Sequence, residues 1–494
     1  MMRHLKKAGF AATLGTVVCA FLLSISQAGW KAFADSSALL LFSDPTGVVG
    51  TLSTTGSIDS TNPFFQSLGT NGRSCATCHD MANAWSVSAL GAQTRFAASK
   101  GTDPLFRPND GSNCPDSRGV NDSPPAKSAY SLLLSKGLIR IFLPIPANAQ
   151  FTVKVVSDPY GCALTTDASG AKILSMYRRP LPATNLGFLS AVMFDGRESL
   201  MPLNSPATFQ PNLNFDLAHQ ALDATLGHAQ AAAAPTADQL QQIVAFELAT
   251  FTAQQSDNSA GVLNAQGASG GASFLSTLPY YPGINDSLGG NPTGAAFDPG
   301  AFTLFSTWQA LNSSNPYMLA RQSIARGEVI FNTAPLAIQN VKGLNDALGL
   351  ATITGTCTTC HDTPNVGDHS LPVPLEIGIS DVPANSRDPL TSALAQLNEP
   401  QVPVYALRCS TSLGAASNIT IQTTDPGRAM ISGLCSDIGK VKGPILRGLA
   451  ARAPYFHNGA ADSLEQVVSF YNERFQAGLT ANEMADLVNF LKSL

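Results

Sequence analysis

The sequence predicts a mainly α-helical protein of two domains, with long loop insertions in its N-terminal half. Three observations predict this. The chain has 494 residues, 44% of them hydrophobic, which is more than one typical domain uses. A C-x-x-C-H motif stands in each half, at 75–79 and at 357–361. Apolar residues recur at helical spacing in three stretches, while the 41 Gly and 32 Pro gather largely between them.

In chain order, Arg3, Lys6 and Lys7 precede an apolar run over 8–25, and Ala32-Phe33-Ala34 then supplies small residues for export cleavage. We read 1–34 as a signal peptide cut near Ala34, which places the chain in the periplasm; a retained anchor is the alternative. Cys19 follows Val18 rather than a small residue, which argues against a lipoprotein site. No later segment is long and apolar enough to span a bilayer, so the cleaved chain is not expected to be an integral membrane protein.

The first domain is expected over 35–315. Residues 35–74 are rich in Gly, Ser and Thr, with Pro63-Phe64-Phe65 just ahead of the first motif. Residues 100–185 read as elaborated loop with short strands, 151–156 alternating plausibly. Over 237–253, Leu240, Ile243, Val244, Leu248 and Phe251 share one helical face. Residues 256–300 read as a Gly/Ser/Asn-rich insertion. The second domain, 316–494, opens with a helix over 323–332 and closes with one over 480–494, where Thr480 and Glu483 have capping-box spacing.

Charge excludes one class of partner. Net charge is −5, and removing 1–34 leaves 25 basic against 34 acidic residues. That is no nucleic-acid footprint. A mildly acidic surface suits a basic redox partner.

The cysteines identify the chemistry. In Cys75-Ala76-Thr77-Cys78-His79 and Cys357-Thr358-Thr359-Cys360-His361, the two-residue spacer sets the thiols at the separation of the two vinyl groups of a haem. His79 and His361 then reach the iron as proximal ligands. A zinc or thioredoxin-like pair is the alternative for one copy and a poor one for two. We expect two covalently bound haem c groups. The remaining cysteines are Cys114, Cys162, Cys409 and Cys435. An oxidising compartment favours disulfides, and sequence-local pairing gives Cys114–Cys162 and Cys409–Cys435. Four cysteines allow three pairings.

Further motifs carry a resemblance. The runs Lys442-Gly443-Pro444-Ile445-Leu446-Arg447, Ala453-Pro454-Tyr455-Phe456-His457-Asn458-Gly459 and Val467-Val468-Ser469-Phe470-Tyr471 resemble the di-haem cytochrome c peroxidase/MauG family. Met193-Phe194-Asp195-Gly196-Arg197 resembles its Trp-Asp-Gly-Arg signature. The resemblance covers most of 60–494 and is strongest from Asp425 onward. It implies two all-helical, cytochrome c-like haem domains with a cleft between them. One haem stores or delivers an electron; the other handles peroxide. It also implies a possible calcium ion held by backbone oxygens near 452–454.

The sequence departs from the family at informative places. Phe194 stands where the family has a Trp between the haems, and Phe is far harder to oxidise. Gln220 fits the family's distal Gln, while His228 falls near its distal Glu. Peroxide cleavage needs a base that takes a proton from one oxygen and returns it to the other. His228 is read as that base, as a gating or permanent iron ligand, or as a packing residue; His219 lies half a turn out of phase. Fourteen residues after His457 stands Tyr471, the position of the family's sixth ligand to the second haem. Met430 and Met484 are the alternatives. Arg197 and Arg447 are candidates for haem propionates or for ordinary ion pairs. His457 is read as a cleft residue, and Asp368 and His369 as loop-lining.

The favoured function is therefore a peroxidase-like oxidoreductase. It takes electrons from a small redox protein and reduces hydrogen peroxide, or uses it to oxidise an organic substrate. The alternative is an electron carrier with two six-coordinate haems and no catalysis.

Overall fold

In the computed structural model the chain begins with β-structure. Leu39–Asp44 and Gly47–Ser53 form an antiparallel hairpin. Its turn closes because the Asp44 carboxylate accepts from the backbone N–H of Thr46 at 2.8 Å and Gly47 at 2.9 Å. Thr250–Asp257 pairs with the second strand, and Gly261–Val262 completes a four-stranded sheet. The structure describes residues 38–383, 389–410 and 418–494; the predicted signal segment 1–34 lies outside the described residues.

The expectation of a mainly α fold is corrected here. Helices take 32% of residues and strands 16%, in four sheets among the described residues, so the fold is mixed α and β. Two sheets lie in the stretch read as loop. Ile139–Pro144, Lys172–Arg178 and Leu164–Thr166 form one. Phe151–Ser157 joins Val404–Cys409 and Thr420–Thr423 in another, with partners from both halves of the chain. The Cys409–Cys435 disulfide closes beside it. Cys114 and Cys162 are buried thiols in contact rather than a bridge.

One predicted helix is also too long. The 237–253 stretch is helical only over Ala237–Leu248, because Thr250, Phe251 and Thr252 enter the first sheet. β-branched and aromatic residues favour the pleated surface over another helical turn. The helix keeps Ile243 and Val244 buried.

The terminal helices behave as their spacing predicts. Pro316–Thr333 starts on an Asn315 cap with Pro at its first turn, and Ala481–Lys492 starts on the Thr480/Glu483 capping box. The two cross so closely at Gly327 that a Cβ there would lie 2.0 Å from the Asp486 carbonyl oxygen. Asp486 is held at this crossing by Ser323 (2.5 Å) and Arg326 (2.6 Å). Phe305, Trp308, Phe331 and Phe490 fill the core beneath.

Candidate functional site

The two C-x-x-C-H motifs are built alike. Backbone N–H of Ser74 donates to Thr77 Oγ1 at 3.0 Å, and that of Thr356 to Thr359 Oγ1 at 2.9 Å. Each pair tightens a single turn that carries both cysteines. Each histidine then turns Nδ1 to a carbonyl, His79 to Trp85 at 3.1 Å and His361 to Gly367 at 2.6 Å. A donated Nδ1–H fixes the tautomer and leaves Nε2 as a lone-pair donor, the arrangement an axial ligand requires. Burial holds the His79 imidazole down at about 4, against the opposing Trp85 bond, so it is neutral. Cys75, Cys78, Cys357 and Cys360 are free thiols.

Each motif opens on its own cavity. The first, with an empty volume of about 1420 Å³, is walled by Cys75, Cys78, His79, Gln220 and His228. The second, about 1760 Å³, is walled by Cys357, Cys360, His361, His457 and Tyr471. Arg179, Pro180, Leu181, Pro182, Phe194 and Lys442 border both cavities.

The shared wall carries the buried cations Arg179 and Lys442, with Arg452 beside Arg179 on the second cavity; Lys442 faces Asp368, whereas the two arginines bond only to carbonyls among the described residues. Arg179 donates to the Arg452 and Val87 carbonyls, and Arg452 to the Ile445 carbonyl; Nε of each has no partner. Burial, then their mutual repulsion, lowers Arg179 to about 9. Burial lowers Arg452 to about 10 and Lys442 to about 8. Buried cations are stable when an anion joins them. Haem propionates fit that need, and free thiols, lone-pair histidines and large apolar cavities fit the rest of the group.

His228 ends the Phe209–Gly227 helix. Its Nδ1 donates to Asp110, whose carboxylate is also gripped by Arg73. Burial raises the Asp110 carboxyl, but Arg73 and His228 outweigh it and hold it low, so it is ionised. Glu247 also walls this cavity, 5% exposed, with Oε2 unpartnered; burial raises it to about 8.

Comparison with known proteins agrees with this construction. No family model matches the chain. Over 156 residues it is 32% identical to cytochrome-c peroxidase IdrP2 of Denitromonas iodatirespirans, covering 30% of this chain and 38% of that protein. Over 205 residues it is 26% identical to cytochrome-c peroxidase IdrP1 of Pseudomonas sp. (strain SCT), covering 38% and 51%. The matches thus span between about a third and a half of these relatives' length. A solved MauG-like protein associated with microbial copper homeostasis aligns over 68% of this chain and 79% of its own, at 14% identity and a TM-score of 0.26. These curated relatives support the resemblance to the di-haem cytochrome c peroxidase/MauG family, and they imply haem c as cofactor.

The remaining residues singled out in the sequence fall in different places. Phe194 packs against His457 at 5.9 Å, and His457 Nε2 meets Ser380 Oγ at 3.0 Å. Tyr471 sits among Phe456, Phe470 and Phe475, its hydroxyl pushed up by burial and then by the Cys360 and Cys357 thiols. Met430 is buried with Phe151, Tyr405 and Cys435 beneath a sheet, off both cavity walls. Arg197 borders the first cavity but meets both Asp195 oxygens at 3.2 Å. Arg447 is on neither wall; it donates to the Asn365 carbonyl at 2.7 Å and stacks over Phe302. In the 452–454 segment the Arg452 carbonyl accepts from the Arg179 guanidinium, and the Ala453 carbonyl from Ala89 N–H. Sequence reasoning passes over Asp110, Arg179 and Glu247, and quotes Lys442 in a motif without giving it a role. Only Arg179, beside a second arginine and before Pro180, carries a visible signal.

Proposed function

We propose that this chain is a periplasmic cytochrome with two covalently bound haems, one in each of domains 35–315 and 316–494. It reduces hydrogen peroxide, or uses it to oxidise an organic substrate. A small redox protein supplies electrons to the second haem, which passes them to the first. The observation that carries this reading is the shared wall: Phe194, Lys442 and 179–182 border both cavities. Haems bound in them would be separated by these shared residues, with Phe194 in place of a Trp.

Bound haem supplies the iron at which peroxide is reduced and a second redox centre to feed it. The protein's part is proton handling and water exclusion. With Nδ1 tied to Asp110, His228 offers Nε2 as a base. It takes the proton from one peroxide oxygen and returns it to the oxygen that leaves as water. Gln220, on the same cavity wall, donates an amide N–H to orient the peroxide. Arg179 and Lys442 hold propionates at the junction.

One observation favours the alternative electron carrier. His228 and Tyr471 each present a ligand-type atom to a cavity that also holds an axial histidine. The electron paramagnetic resonance spectrum of the resting ferric protein, followed by peroxide addition after one-electron reduction, separates the two. The enzyme shows a high-spin haem at rest or after reduction, and consumes peroxide. Two low-spin haems inert to peroxide in both states indicate the carrier.

A further inference from the structure

Asp286, Asp362 and His369 form a cluster outside the proposed peroxide site. They bring one donor atom each to within 4.8 Å of one another, and they are 1%, 0% and 3% exposed. Among the described residues no Lys or Arg pairs with these carboxylates; the neighbouring base is His369, whose Nδ1 lies 3.6 Å from Asp362 Oδ2 and accepts Leu371 N–H at 3.3 Å. Two desolvated carboxylates beside one imidazole need a further positive charge.

The hydrogen bonds supply an independent sign of a missing partner. Asp286 Oδ2 accepts Gly290 N–H at 2.5 Å, but its Oδ1 has no partner. Buried polar atoms are nearly always satisfied, so the orphaned Asp286 Oδ1, on a residue 1% exposed within the cluster, marks a bound species.

The surrounding backbone is already fixed. Asn285 Nδ2 donates to the Asp362 carbonyl at 3.0 Å, Ser287 Oγ to the Thr359 carbonyl at 2.6 Å, and Gly283 N–H to the Ser370 carbonyl at 3.0 Å. These bonds dock the 283–290 loop, from the Gly-rich insertion, onto the loop that follows the second haem motif. The geometry points to a structural zinc site made by Asp286, Asp362 and His369, which pins that insertion beside the second haem. One imidazole and two carboxylate oxygens suit Zn²⁺ at about 2.0–2.2 Å, with Ser370 Oγ or water as fourth ligand. The assignment does not depend on the peroxidase reading.

The test is metal content of the haem-loaded protein, purified from zinc-supplemented medium and measured against iron. The wild type is expected to hold about one zinc per chain, and Asp286→Asn and His369→Gln to lose most of it. Both variants should keep both haems by pyridine haemochrome. His219→Ala, which breaks the more exposed Glu198–His219–Asp223 group, should leave the zinc in place. Wild-type protein carrying iron alone overturns the site, as does zinc that persists in both cluster variants. If the variants do not accumulate, zinc-edge X-ray absorption of the wild type decides. A shell of nitrogen and oxygen with one imidazole supports the site; sulfur ligation, or no imidazole, overturns it.

Discussion

Nδ1 of His228 donates to the Asp110 carboxylate, while Arg73 grips that carboxylate from another side. The relationship spans 118 residues and ties a buried loop aspartate to a histidine that walls the first cavity. It fixes the imidazole's tautomer and strengthens Nε2 as a base or ligand.

His228→Ala should therefore lower peroxide turnover by about a hundred- to ten-thousand-fold. Asp110→Asn, which keeps the shape but weakens the orienting bond, should cost roughly ten- to a hundredfold. The spectrum separates roles: a low-spin first haem that turns high-spin in His228→Ala marks His228 as a ligand. An Asp110→Asn variant with wild-type turnover and spectrum would refute the coupling.

Covalent attachment is the most direct test of the two-haem reading. Pyridine haemochrome with intact mass should give two haems per chain, both retained on denaturation. Cys78→Ala and Cys360→Ala should each weaken or lose attachment at one haem only. A wild-type chain with one attached haem removes the inter-haem scheme.

Tyr471 borders the second cavity, whereas Met430 lies under a sheet away from it. Tyr471→Phe should shift the optical spectrum and raise the second haem's potential, because an anionic phenolate favours ferric iron. Met430→Leu should leave the spectrum unchanged. The opposite pattern would require the sheet over Met430 to open in the haem-loaded protein.

What the sequence reveals tracks how local the chemistry is. The haem motifs are readable because thiol spacing and the adjacent histidine are fixed by the group they bind. The paired terminal helices are readable because 3.6-residue spacing and caps are local. Asp110 is invisible: it sits in an aperiodic loop and reaches His228 only through tertiary contacts, with Arg140 N–H bonded to its carbonyl at 2.8 Å. Short strands are expected over 100–185, but the strand that follows the 237–248 helix is missed for a similar reason. Thr250–Asp257 continues an apolar helical pattern without a break, and only pairing with Gly47–Ser53 decides its conformation. Tyr471 is favoured over Met430 in the sequence only by its fourteen-residue offset from His457; the burial of Met430 shows only when the Phe151–Ser157 strand pairs with Val404–Cys409.

Glu247 gives a pH signature with a definite sign. Its carboxyl is buried beside the first cavity, and burial raises it from 4.5 to about 8. Between those values the folded protein holds a proton that the unfolded chain has released. Stability is therefore fully present below 4.5 and falls as pH rises towards about 8, with a slope of at most about 1.4 kcal/mol per pH unit. Above about 8 the carboxylate is charged in both states and this contribution is flat. Glu247→Gln carries the neutral form at every pH and should remove the slope. Urea unfolding of the haem-loaded protein across this range, wild type against variant, measures it. The two should match near pH 5, and the variant should gain progressively towards pH 8. Parallel curves would mean that Glu247 is ionised when folded, through a partner supplied by the bound haem.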